Sequence, residues 1–373
     1  MSTSNFDMSV GDTLSISETY KHLTDDVHMD DVDTDMEHKY IKNYEDSHTK
    51  RMIFLLFGFL TLCGLRSLLV SNLAFAPPRV QGYEVKDNRF LYKNPFSAYD
   101  INQLLELNNV GVEYNKLVQG KDEVASVLVY RKPLDLNKQI ILYSHGNNTD
   151  IGYSFPAYLN LLFKTDANII TYDYSGYGYS NKKPTEGNMY KNIKMVYNFL
   201  TETLGVNPGN IILYGYSIGT CACSYMISLK DVKVGGCILQ SPLASGMKLV
   251  FPAQKGCLPC FDVFKNYKNL QKASLVPVYI MHGKKDMDIP YYHSVILLNQ
   301  LRKNFEKKRK KMKTVGDSPH KSVDIHSLIT FWGVANSDHN NIELANTDNF
   351  YRRLRAFLSF CKDYNMEEEG EDV

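Results

Sequence analysis

The sequence has almost no net charge, few cysteines and only one strongly hydrophobic run. Lysine and arginine number 42 against 41 aspartate and glutamate, a formal charge of +1. Such a balance gives no electrostatic footprint for nucleic acid. The 7 cysteines are odd in number and spread from Cys63 to Cys361, which argues against a secreted disulfide framework. Cys257-Leu-Pro-Cys260 lacks a second pair or a histidine cluster to complete a zinc site, so it reads as reduced thiols. The glycines of Asp173-Tyr-Ser-Gly176-Tyr-Gly178 have no P-loop beside them and read as backbone freedom in a loop. No metal or cofactor is therefore expected. Ser2 stands where myristoylation needs glycine, and the carboxyl end carries no prenylation box.

What is present is uneven. Apolar residues make up 44% of 373, enough for one large α/β domain with a sizeable core. Residues 1–50 hold 12 acidic and 4 basic side chains, a local net of −8. A tail of that composition cannot bury enough surface to offset its ordering entropy, so disorder is expected there. Between Arg302 and Lys313 the balance reverses, with 8 Lys/Arg against the single Glu306. That segment, taken as an insertion at 304–327, reads as a solvated basic loop, with anionic lipid headgroups as the alternative contact. Residues 363–373 form a second acidic tail.

The hydrophobic run occupies 52–76, behind Lys50-Arg51. It begins too deep in the chain for an ordinary cleaved signal peptide. Its uninterrupted part, 52–65, is 14 residues. That is roughly 21 Å of helix, short of the ~30 Å hydrocarbon core of a bilayer. Arg66 then intervenes before the apolar character resumes at 68–76, and snorkelling of Arg66 would permit a full span. Residues 51–77 are thus expected to be a membrane-anchor segment, against the alternative of a buried core helix. Basic residues on both sides leave its orientation open, and Pro77-Pro78 ends it.

From residue 82 the pattern is that of a folded domain to about 362. Residues 82–130 alternate apolar and polar, as short antiparallel strands do. Buried strands are then expected at 140–144, 168–172, 211–214, 236–240, 276–281 and 328–334. Helical spacing occupies 188–204, 218–230, 291–303 and 342–360. Strand–helix alternation of this kind implies an α/β fold with a mostly parallel central sheet and helices on both faces.

The strongest motif is Gly215-Tyr216-Ser217-Ile218-Gly219, directly after the expected strand 211–214 and before the small residues Thr220-Cys-Ala-Cys-Ser. Strand, tight turn and helix are the context of a nucleophile elbow, which makes Ser217 the candidate nucleophile. A serine hydroxyl needs a base, and in this chain order an acid and then a histidine follow the serine. His282, His293, His320, His326 and His339 all follow Ser217. His339, in the polar loop Asn336-Ser-Asp-His339-Asn-Asn after the last strand, is the candidate base. Asp286, just past the strand ending at His282-Gly283, is the candidate acid, with Asp288 as competitor. The backbone N–H groups of Ile218 and of Asn147, in Ser144-His145-Gly146-Asn147 after an earlier strand, are the candidate oxyanion donors. His145 reads as a hydrogen bonder that structures this loop, and the sequon at Asn147 as unused. Residues 243–267, with Leu243, Met247, Leu249 and Phe264, can cap an acyl pocket in such a fold, with plain core the equal alternative for any single one of them.

Taken together these motifs resemble the alpha/beta hydrolase domain-containing protein 17 group, which are membrane-tethered protein depalmitoylases. The matching residues include Ser144-His-Gly-Asn147, Tyr172-Asp-Tyr-Ser-Gly-Tyr-Gly178, Ser241-Pro-Leu-Ala-Ser-Gly-Met247, His282-Gly-Lys-Lys-Asp286 and His339-Asn-Asn-Ile-Glu-Leu344. The resemblance runs over about 72–362, from Leu73-Ala-Phe-Ala-Pro-Pro78. It implies the α/β-hydrolase fold, a triad on Ser217, Asp286 and His339, and an S-palmitoylated protein as substrate. It also implies a membrane partner and a hydrolase domain facing the cytosol. The group's amino-terminal cysteine cluster is missing here, where only Cys63 stands in the hydrophobic run. A lipase or carboxylesterase acting on glycerolipid oxyesters, and a non-catalytic membrane adaptor on the same scaffold, are the alternative readings. Nothing in the sequence states the oligomeric state.

Overall fold

A computed structural model of the chain describes residues 74–93, 101–250, 262–315 and 325–371. The acidic tail expected at 1–50, most of the segment 51–77, and the Cys257-Cys260 pair lie outside the described residues. Two short strands, β1 (Tyr83–Lys86) and β2 (Arg89–Tyr92), pair in an antiparallel hairpin of their own. A short helix α1 (Ile101–Leu107) leads to the main sheet.

That sheet has eight strands in the order β10-β9-β8-β7-β5-β6-β4-β3. At one side of it β3 (Val110–Gln119), the edge strand, and β4 (Asp122–Arg131) are antiparallel, as the alternating pattern at 82–130 leads one to expect. The remainder are parallel: β5 (Ile140–Ser144), β6 (Asn168–Tyr172), β7 (Ile211–Tyr216), β8 (Gly236–Gln240), β9 (Val278–Gly283) and β10 (Ile329–Val334). Their continuous apolar runs reflect burial on both faces, since every residue of β5, β6, β8 and β9 is buried. The covering helices are α2 (Ile151–Thr165), α3 (Glu186–Asn198), α4 (Gly219–Met226), α5 (Gly246–Val250) and α6 (Asn266–Leu270). They continue with α7 (Tyr292–Val315), α8 (Ile342–Ala345) and α9 (Thr347–Glu371).

The strand order decides where a site forms. From β5 the chain steps outward to β6, then returns past β5 to place β7 on the other side. The loops leaving the carboxyl ends of β5 and β7 therefore diverge, which opens a crevice there. Both the Ser144-His145-Gly146-Asn147 loop and the Ser217 turn leave the sheet at this point.

Two expectations are corrected. Residues 304–315 are not an insertion loop, because α7 runs unbroken to Val315. The acidic end at 363–371 is likewise the last part of α9. Both stretches are rich in Lys, Arg, Glu and Met, which favour helix without an apolar stripe to announce it. Being the crossover between two parallel strands, α7 starts at the carboxyl edge of the sheet and runs toward its amino edge. Its 24 residues span about 36 Å, whereas the 6 residues of β9 span about 20 Å. Its basic final turns therefore extend beyond the sheet.

Candidate active site

Ser217 sits between β7 and α4 with φ of 55°, a left-handed conformation that L-residues seldom adopt. Its N–H donates to the Gln240 carbonyl on β8 at 2.9 Å, and its carbonyl accepts from Thr220 N–H at 3.1 Å. The turn is tight enough to press α4 against β5. A Cβ on Gly219 would stand 2.0 Å from the Ser144 carbonyl oxygen, so only glycine fits there.

Asp286 and His339 come from the loops after β9 and β10. These strands pair in parallel, with Gly283 opposite Val334. A Cβ at Gly283 would stand 2.3 Å from the Ser337 carbonyl oxygen, so its absence lets the two loops cross closely. Lys284 and Lys285 N–H groups then bond the Val334 and Ser337 carbonyls at 2.8 and 2.9 Å. The His339 loop is braced by Asp338, whose Oδ1 accepts from the N–H groups of Asn340 and Asn341.

The three candidate residues meet in one line. His339 Nε2 lies 2.9 Å from Ser217 Oγ, and His339 Nδ1 lies 2.7 Å from Asp286 Oδ2. A carboxylate only accepts, so Nδ1 carries the ring hydrogen and Nε2 is free to accept from the serine. Asp288 does not take this place. It is exposed, and its N–H donates to Asp286 Oδ1 at 3.0 Å.

Asp286 is held on both oxygens. Oδ1 accepts from the N–H groups of Asp288 and Ile289, and Oδ2 accepts from His339 and from His282 Nε2 at 3.0 Å. Burial alone raises its pKa, but the hydrogen bonds from His282 and His339 outweigh burial and hold the carboxyl well below the usual range. The sequence assigns His282 no role at the site beyond ending the strand before Asp286. Its Nε2 also bonds the Ile289 carbonyl at 2.7 Å and its Nδ1 meets Ser294 Oγ at 2.6 Å. The available signal was its place on β9, four residues before the acid.

The other histidines lie elsewhere. His293 is buried, and its Nδ1 accepts from Ala244 N–H at 3.0 Å. Burial, with His282 and Lys248 adding to it, pushes its pKa down to about 3, so the ring is neutral. His320 lies outside the described residues, and His326 falls in a short turn of helix at Ile325–Leu328. His145 is fully buried, with Nδ1 donating to the Gly146 carbonyl at 2.7 Å and its ring 4.2 Å from that of Tyr174. It shapes the loop that carries Asn147.

Asn147 and Ile218, which carry the candidate oxyanion donors, line one cavity of about 820 Å³ together with Gly146, Ser217 and His339. Among the described residues, neither the Asn147 nor the Ile218 N–H is spent on a protein acceptor. Leu243, Met247, Leu249, Val250, Val263 and Phe264 form an apolar wall of the same cavity. The segment 243–267 thus supplies a wall through its two ends, its middle lying outside the described residues. Tyr216 joins the two sides of the site. Its hydroxyl donates to Asn340 Oδ1 at 2.6 Å, and its ring lies against Gly146. Among the described residues no group of three or more His, Cys, Asp and Glu side chains is arranged to hold a metal. Cys221 and Cys223 on α4 are buried thiols whose pKa burial raises, to about 12 for Cys223. No helix among the described residues is long and apolar enough to cross a membrane.

Comparison with known proteins agrees with this architecture. Residues 139–255 match the family model described as the alpha/beta hydrolase fold. The chain is 34% identical to human alpha/beta hydrolase domain-containing protein 17B over 222 residues, which cover 60% of this chain and 67% of that protein. It is 30% identical over 292 residues to alpha/beta hydrolase domain-containing protein aho-3 of Caenorhabditis elegans, covering 78% of each. With protein 17C of Xenopus tropicalis the identity is 33%, over 60% of this chain and 62% of the other. Among solved structures, an esterase of Pyrococcus furiosus superposes with a TM-score of 0.51 over 76% of this chain and 97% of its own, at 14% identity. That likeness is one of fold.

Proposed function

The chain belongs to the alpha/beta hydrolase domain-containing protein 17 family, and from that membership we propose that it is a serine thioesterase which removes palmitate from protein cysteines at a membrane surface. The observation that carries the reading is the Ser217–His339–Asp286 line, with contacts of 2.9 and 2.7 Å, opening into an apolar-walled cavity. Ser217 Oγ attacks the thioester carbonyl carbon while His339 Nε2 takes its proton. Asp286 stabilises the imidazolium that forms and keeps the ring oriented. The N–H groups of Asn147 and Ile218 hold the oxyanion of the tetrahedral intermediate. Its collapse breaks the carbon–sulfur bond, and His339 returns the proton to the leaving thiolate. Water, deprotonated by His339, then attacks the acyl-serine ester and releases the fatty acid with Ser217 restored.

A saturated C16 chain needs a long apolar slot, and the Leu243–Phe264 side of the cavity supports that choice. The hydrophobic run at 52–76 supports a bilayer location, where tethering raises the local concentration of lipidated protein. The test is hydrolysis of an S-palmitoyl peptide by the wild type and by Ser217→Ala, beside monoacylglycerol and lysophospholipid. Equal rates for the two proteins sink the mechanism. Preference for the oxyesters sinks the substrate assignment alone.

A further inference from the structure

The residues that end the hydrophobic run reach into the site. Phe75 is 5% exposed, with ring centroids 5.8 Å from Phe264 and 6.3 Å from Tyr177. Its neighbour Ala74 lines the cavity. The Ala76 N–H lies 2.8 Å from Asn147 Oδ1 and 3.0 Å from the Tyr177 hydroxyl oxygen. Tyr177 donates to the same Oδ1 at 2.7 Å. The phenol is fixed in turn, since its ring is buried against His145 and Tyr174.

The Asn147 carboxamide oxygen is thus gripped by two donors that belong to distant parts of the chain. Holding that oxygen fixes the side-chain rotamer, and through the Cα it fixes the direction of the Asn147 N–H. A preorganised donor spends no free energy on reorientation as charge develops on the oxyanion. We propose that Phe75, Ala76 and Tyr177 are positioning residues for the Asn147 N–H, with Phe75 seating this stretch of chain and the other two holding the carboxamide. The proposal rests on the serine hydrolase reading above. It makes the end of the hydrophobic run a part of the catalytic apparatus.

The full-length protein is assayed with p-nitrophenyl butyrate, whose short acyl chain makes little use of the apolar wall, and with a fluorophosphonate probe. Tyr177→Phe and Ala76→Pro, which delete one donor each, lower kcat and the labelling rate by about tenfold, with KM within about twofold of wild type. Phe75→Ala gives the same loss, and Phe75→Leu restores most of it. In an Asn147→Ala background, which keeps the backbone N–H but removes the gripped oxygen, Tyr177→Phe causes no further fall. A fall of equal size in that background means a general structural effect and overturns the positioning role. An active wild type with unchanged variants overturns it as well, while the hydrolase reading stands. A wild type inert toward both reagents overturns the hydrolase reading and the positioning role with it. Should Ala76→Pro fail to fold by circular dichroism, Tyr177→Phe, which keeps the buried ring, decides.

Discussion

His282 donates its Nε2 hydrogen to Asp286 Oδ2 across 3.0 Å, on the same oxygen that serves His339. The acid of the site is therefore shared between two imidazoles, one fully buried and one facing the cavity. Replacing His282 by Phe strips a donor from Asp286 and leaves the Ile289 carbonyl and the Ser294 hydroxyl without their partner. The expected cost is roughly 2–3 kcal/mol of folding free energy, read by urea denaturation near neutral pH.

The same substitution alters acid stability. Asp286 has a depressed folded-state pKa, so its contribution is complete above the ordinary carboxylate range and is lost as pH falls toward the depressed value. Loss of the His282 bond raises that pKa toward the unfolded one, at about 3.9. Unfolding free energy of His282→Phe is thus expected to fall less steeply than that of wild type as pH drops below about 4. Parallel curves from urea titrations at several acid pH values would contradict the assignment.

Asp286→Asn keeps the shape of the acid and removes its charge. The amide can present N–H to His339 Nδ1, which favours the tautomer that cannot accept from Ser217. A fall in kcat of about 10⁴ is expected with the fold retained. Steady-state kinetics and a thermal melt check the two halves of that statement.

Gly219→Ala puts a methyl 2.0 Å from the Ser144 carbonyl oxygen, a contact with backbone on both sides. Neither β5 nor α4 can yield without opening the crevice, so a loss of more than about 3 kcal/mol is expected. An unchanged melting temperature would show that the elbow is looser than this geometry requires.

Met247→Trp adds bulk to the apolar wall without touching the Ser217–His339–Asp286 line. Activity on butyryl esters should stay within about threefold of wild type, while that on palmitoyl thioesters falls at least tenfold. A uniform loss across chain lengths would place the acyl group elsewhere.

The parallel strands were legible in the sequence because burial on both faces demands unbroken apolar runs, as at 140–144 and 236–240. The Ser217 turn was legible because its constraints are local: two glycines, a strand before and small residues after. Chain order brought forward His339 and Asp286, and the fold brings both to Ser217. The second imidazole on Asp286 was not legible, because which ring nitrogen meets which oxygen is set by the crossing of two loops. The grip on Asn147 was hidden for a similar reason, its donors lying 71 and 30 positions away. The helical course of 304–315 was missed because helix propensity without an apolar stripe leaves no period to read.

The length of α7 has one more consequence. It begins beside the cavity, where Tyr292 bonds the Lys248 carbonyl, and it ends past the opposite rim of the sheet. Its exposed Lys307, Arg309, Lys310 and Lys311 therefore lie on the half of the helix that leads away from the cavity. Positive charge thus gathers toward the end of α7 remote from the cavity, at the far end of the same helix whose first turn stands beside it.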